Sequence, residues 1–83
     1  MQFYIVNNVK NEAYIKKFGE NLQKIRLQNK MSQETLAFAS DIPISQVGRI
    51  ERGEINTTIS TVKAISSALQ VTVLTLFDFD YIE

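Results

Sequence analysis

The chain has 83 residues, a hydrophobic fraction of 45%, and nine basic residues that balance nine acidic ones, so its net charge is zero. This length suits one domain with a modest core. Cysteine and histidine are both missing from the sequence, which excludes disulfides, thiolate metal sites and the usual nucleophile–base pairs of catalysis. We therefore expect no enzyme activity, no metal and no cofactor. No stretch is apolar enough to span a membrane and no signal peptide is recognisable, so a cytoplasmic location is expected.

The two signs of charge are unevenly distributed along the chain. Residues 16 to 52 carry seven basic and four acidic side chains, whereas residues 53 to 83 carry one basic and four acidic ones. A zero net charge argues mildly against nucleic acid as a partner, but this basic excess in the middle of the chain weakens that objection.

The first two segments in chain order differ in pattern. Met1–Val6 (MQFYIV) is short, apolar and rich in strand formers. A helix is predicted to follow, with Asn11 as its N-cap. Its apolar stripe has spacings of three and four residues, and consists of Ile15, Phe18, Leu22 and Ile25.

The next stretch, Met31–Gly53, predicts two short helices joined by a tight turn. Ser32 is expected to cap the first helix, and Pro43 fits the first turn of the second, where its missing N–H is not needed. Asp41 lies in the turn, where a short polar side chain tolerates left-handed backbone, and Gly53 follows the second helix as a C′ residue. This arrangement is typical of a DNA-binding helix-turn-helix.

Two further helices and a tail complete the chain. Thr58 is predicted to cap a fourth helix. The segment VTVLTLF that follows has strand propensity, and a short fifth helix there, capped by Thr72 and ending at Phe77, is mainly what the family resemblance given below implies. The tail FDFDYIE alternates apolar and acidic residues, which is a strand pattern. Asp78 and Asp80 are interpreted as its solvated face rather than as a metal or catalytic pair.

Residues 14 to 77 resemble the Cro/repressor type of helix-turn-helix, found in lambdoid phage repressors and XRE-like bacterial regulators. The resemblance implies an all-α, five-helix lambda-repressor-like domain, with a core at about 14–77 and arms at 1–10 and 78–83. The arms are expected to form strands that pair with each other or across a dimer, or else to fray. The matching residues are Arg26, Met31–Glu34, Leu36, Ala37, Val47, Arg49–Gly53, Asn56, Ala64–Leu69, Leu76 and Phe77.

The same resemblance assigns roles on DNA. The third helix is expected to enter the major groove, where Arg49 can bond bidentately to guanine and Ile44 can pack on a thymine methyl. Each has a simpler interpretation, as a solvated arginine and as a core residue under the turn. The base-facing positions are Ile44, Ser45, Gly48 and Arg49, and the phosphate candidates are Gln33, Gln46, Arg52 and Asn56.

Arg26 and Glu51 match a family ion pair that links the first helix to the end of the third. The alternative is two separate surface charges. Pro43 stands where the family often has a hydroxyl or amide side chain, so a polar contact at the entry to the third helix is not expected here. Phe38 lies off the buried face of the second helix, and is either simply exposed or covered by the N-terminal arm or a partner subunit.

The sequence therefore predicts a sequence-specific DNA-binding transcription regulator. A homodimer on double-stranded DNA is expected, because one short helix reads too few bases for useful specificity. The apolar arms motivate an alternative, a protein-interaction module such as an antitoxin that binds a toxin partner and binds DNA only secondarily.

Overall fold

The computed structural model describes residues 10–82, and within that range it is all-α, as predicted. The predicted arm Met1–Val6 lies outside the described residues. Five helices follow one another along the chain: α1 Glu12–Gln28, α2 Gln33–Ser40, α3 Ile44–Glu51, α4 Ile59–Leu69 and α5 Val73–Leu76.

Side-chain caps define where most of the helices begin. Asn11, Ser32, Thr58 and Thr72 each accept a hydrogen bond from the backbone N–H three residues later, which satisfies one of the unpaired donors of the first turn. Helix α3 instead follows Pro43, which makes no side-chain cap. All four predicted caps are confirmed.

Four helices end in the same backbone motif. A residue in left-handed backbone follows each helix: Lys30, Asp41 and Gln70 have φ of 57–58°, and Gly53 has φ of 72°. In each case its N–H bonds to the carbonyl three residues back, and the next N–H bonds to the carbonyl five residues back. This Schellman arrangement satisfies the last carbonyls of the helix and reverses the chain direction.

One apolar core lies between the helices. Its most buried members come from every helix, and include Leu22, Leu36, Val47, Ile50, Ile65 and Leu76. Helix α2 packs on α3 and α4, while α1 packs on α3 and α5. Helices α1 and α3 approach closely at Gly19, because a Cβ there would lie 2.3 Å from the carbonyl oxygen of Ile50.

The tail after α5 has no strand within the described residues, so the strand interpretation was wrong there. Its alternation does mark a face: the rings of Phe77, Phe79 and Tyr81 all lie against Tyr14 on α1, with centroid distances of 4.9–6.4 Å. The Tyr81 hydroxyl also accepts a 2.8 Å hydrogen bond from the Asn11 amide. Aromatic contact with a helix therefore covers part of this face without a paired strand.

Among residues 10–82, no helix is long and apolar enough to cross a membrane.

Candidate nucleic-acid interface

Helix α3 has one buried and one exposed side. Val47 and Ile50 are at most 1% exposed and anchor the helix in the core. Ile44 is 49% exposed, and Ser45 and Arg49 are also exposed. The simpler interpretation of Ile44, a core residue under the turn, does not hold, because half of its surface faces solvent. The outward side therefore presents one apolar, one hydroxyl and one cationic group.

Arg49 lies in the last turn of α3 with its side chain 54% exposed. Its Nε is 3.9 Å from Oε1 of Glu54, which is an ion-pair distance but too long for a hydrogen bond. The guanidinium therefore keeps donors available for an external acceptor such as a base edge or a phosphate.

Gly48 is buried in the free protein, so it presents no open surface to a base there, and its assignment as a base-facing position stays a prediction. A Cβ at Gly48 would lie 2.9 Å from Nη1 of Arg52 and 3.7 Å from Oε1 of Gln33. The face of the helix at this glycine is thus covered by two side chains. The absence of a side chain at Gly48 leaves the space in which Arg52 lies back along α3.

Gln33 opens α2 and is half-buried. Its Nε2 donates a 2.9 Å hydrogen bond to Oε1 of Glu51. The amide is therefore fixed from beneath by α3, with its carbonyl oxygen close to Gly48 and Arg52. The start of α2 and the end of α3 are joined at this point, where Gln33 and Arg52, two of the phosphate candidates, come together.

Arg26 and Glu51 form a buried ion pair. Arg26 Nε donates to Glu51 Oε2 at 2.6 Å and Nη2 donates to Oε1 at 3.1 Å, and the side chains are only 8% and 2% exposed. Arg26 Nη1 also donates to the carbonyl of Met31 at 2.7 Å. With Gln33, both charged groups are well satisfied, which a buried pair requires. The network links α1, the start of α2 and the end of α3.

A second ion pair lies on the surface one residue further along. Arg52 Nε donates to Glu54 Oε2 at 2.6 Å, and Nη2 donates to Oε1 at 3.3 Å. The hydrogen bond from Arg52 holds the pKa of the Glu54 carboxyl below its usual range. The sequence analysis missed Glu54, whose only signal was an acid two residues beyond Arg52, after a turn-forming glycine.

The remaining phosphate candidates lie apart from this cluster. Gln46 is half-buried on α3. Asn56 is exposed in the loop before α4, where it borders a cavity lined by α1, the loop itself, α4 and Phe77. No residue of α3 lines that cavity.

Known proteins share this architecture and sequence. A helix-turn-helix family model matches residues 22–76. Control protein C.BamHI of Bacillus amyloliquefaciens is 41% identical over 63 residues, which are 75% of this chain and 78% of that protein. Control protein C.SmaI of Serratia marcescens is 39% identical over 55 residues, 66% of each protein. The crystal structure of the restriction-modification controller protein C.AhdI from Aeromonas hydrophila matches with a TM-score of 0.77 and 38% identity, covering 78% of this chain and 98% of that one.

The residues matched by the family model include α2 to α5, the turn at Asp41, and both Arg26 and Glu51. The relatives are named as control or controller proteins, and the comparisons give no support to the antitoxin alternative. The chain belongs to the helix-turn-helix family, as a DNA-binding transcription regulator of the Cro/repressor (XRE-like) type.

Proposed function

We propose that this chain is the controller of a restriction–modification system, and that it acts as a homodimer on a two-fold-related operator. The observation that carries the DNA-reading part is the outward side of α3, where Ile44, Ser45 and Arg49 are exposed on a helix fixed by a buried ion pair. The controller role rests on the 38–41% identity to named control and controller proteins. The activity is binding rather than catalysis, and its place is the cytoplasm.

Base reading and phosphate binding are assigned to two different groups of side chains. Arg49 reads a base in the major groove, with Ile44 and Ser45 beside it, since these side chains are exposed near the two ends of α3. Gln33 and Arg52 hold a phosphate, since they converge above Gly48 at the junction of α2 and α3. Gln46 and Asn56 give further backbone contacts if the duplex extends past that junction.

An apolar surface on the last two helices supports a homodimer. Ile59 is 89% exposed, Leu74 is 80% exposed and Phe77 is 37% exposed. Phe77 borders both a groove that contains Ile59 and Val73 and a groove that contains Leu74, so these side chains form one continuous patch. Contiguous exposed apolar surface marks an interface more often than a solvated face. A second copy placed here would bury the same patch on both subunits, as a two-fold interface requires.

Sedimentation equilibrium tests this interface. Leu74→Glu should shift the dimer to monomer at micromolar concentration, because it places a charge in the buried patch. Phe38→Glu is the matched control, since Phe38 on α2 is 90% exposed and lines neither of the two grooves of the patch. Dissociation by Phe38→Glu alone would place the interface on α2 instead.

Selection of bound duplexes from a random DNA pool tests the function itself. We expect one enriched motif with two inverted half-sites, centred about one helical turn of 10 bp or a multiple of it apart. The motif should also occur beside the genes of a restriction–modification system in the host. A pool that shows no enrichment would contradict sequence-specific binding. A motif that occurs only elsewhere in the host genome, and not beside such genes, would contradict the controller role.

A further inference from the structure

Arg52, one of the side chains proposed to bind DNA, is paired with Glu54 in the free protein. Two N–H···O bonds of 2.6 and 3.3 Å join the guanidinium to both carboxylate oxygens. Bidentate contact of this kind is also how arginine binds the two oxygens of a phosphate. The carboxylate of Glu54 thus stands where a DNA phosphate would bind, and the two side chains remain 48–58% exposed, open to exchange with an external anion.

The backbone fixes Glu54 in this place. Gly53, in left-handed backbone, donates its N–H to Ile50, and Glu54 donates its own N–H to the carbonyl of Arg49 at 2.9 Å. Residue 54 is therefore folded back onto the last turn of α3. The fold therefore places the backbone of Glu54 within reach of Arg52, and the two hydrogen bonds from the guanidinium hold the carboxylate there.

The pairing distinguishes Arg49, in the last turn of α3, from Arg52, the residue that follows the helix. Arg52 makes two hydrogen bonds to Glu54, while Arg49 Nε stays 3.9 Å away and makes none to it. Nη1 of Arg52 also lies over Gly48, 2.9 Å from where a Cβ would be. Of these two cations, the one assigned to phosphate is neutralised in the free protein, and the one assigned to a base is left available.

We propose that Glu54 is an internal competitor of DNA phosphate for Arg52, and that binding exchanges the carboxylate for the phosphate. This inference rests on the proposed DNA contacts. Non-specific binding depends almost entirely on phosphate contacts. A cation that must first leave a carboxylate contributes less to such binding, so Glu54 limits the attraction of the protein to arbitrary DNA while leaving base reading by Arg49 intact.

A double-mutant cycle on duplex affinity tests the exchange. The proteins are the full-length wild type, Glu54→Gln, Arg52→Gln and the double variant, and the probe is a random-sequence duplex in a salt series. Glu54→Gln should tighten binding roughly two- to fivefold, the range expected for losing an exposed ion pair. The log–log salt slope should stay close to that of the wild type, because Arg52 ends on a phosphate in both complexes. In the Arg52→Gln background, the same substitution should have little effect.

Glu20→Gln is the matched control, since Glu20 is an exposed acid on α1 and the change in net charge is the same. An equal gain from Glu20→Gln, or an undiminished gain from Glu54→Gln without Arg52, would mean general repulsion and overturn the exchange. If the wild type binds DNA and the cycle is additive, only this inference fails. If the wild type binds no DNA at any salt concentration, the proposed function fails and the exchange fails with it.

Discussion

Two ion pairs, which involve the neighbouring residues Glu51 and Arg52, have the same shortest N···O distance, but one is buried and the other is exposed. Arg26–Glu51 and Arg52–Glu54 each join Nε to Oε2 at 2.6 Å. The first pair is 8% and 2% exposed, and the second is 58% and 48% exposed. Burial, and not distance, therefore decides what each pair can do: the buried carboxylate cannot be exchanged for another anion, whereas the exposed one can.

The largest effect is expected from breaking the buried pair. Glu51→Ala should lower the free energy of unfolding by about 3–5 kcal/mol, because Arg26 is left as a buried charge without its partner. Urea unfolding followed by helical circular dichroism measures the loss. Glu54→Ala is the comparison and should leave the urea midpoint nearly unchanged. Similar midpoints for the two variants would contradict the assignment of these pairs to fold and surface.

The two glycines inside helices show a similar contrast, because one lies against backbone and the other against a movable side chain. Gly19→Ala should destabilise by about 1–3 kcal/mol, because its Cβ would meet the carbonyl oxygens of Ile50 and Glu51 at 2.3 and 2.6 Å. Gly48→Ala should instead stabilise by up to about 1 kcal/mol, as alanine usually does in a helix, since its nearest neighbour is the movable end of Arg52. Thermal unfolding of both variants measures the difference. A loss of stability in Gly48→Ala equal to that in Gly19→Ala would show that Arg52 cannot move aside.

The smallest effect concerns the titration of Glu54. The hydrogen bond and charge of Arg52 lower the pKa of its carboxyl, so the pair stabilises the fold above the ordinary glutamate pKa and loses that contribution as the pH falls through the lowered value. Side-chain NMR titration should show the lowered pKa in the wild type and an ordinary value in Arg52→Gln. Identical titration curves would mean that the two side chains are not paired in solution.

The capping side chains explain why most of the fold could be predicted. Ser32, Thr58 and Thr72 are residue types that cap the starts of helices, and Gly53 is the residue type that most often follows a helix end. Lys30 and Gln70 end helices in left-handed backbone as well, but their side chains give no sign of it. The tail was also predicted only in part. Its alternation indicated an apolar face, but not that this face packs against Tyr14 on α1.

The outward position of a side chain could be predicted where it depends on the place along one helix, as for Ile44 and Arg49; their contacts with DNA stay predictions. The site was not predictable where a role depends on how a neighbouring side chain folds back. Gly48 is covered because Arg52 lies over it, and Arg52 is neutralised because a backbone turn returns Glu54 to it. Those arrangements depend on rotamers and on a reversal of the chain that spacing does not encode.

Base reading by Arg49 together with phosphate binding by Gln33 is the central claim, and binding-site selection with the two alanine variants tests it most directly. Both variants are first checked for wild-type helicity, because Gln33 also bonds to Glu51. Arg49→Ala should lose its preference at one position in each half-site, by about 1–3 kcal/mol. Gln33→Ala should weaken binding about equally for all sequences while the motif stays the same. An unchanged motif for Arg49→Ala would contradict the claim.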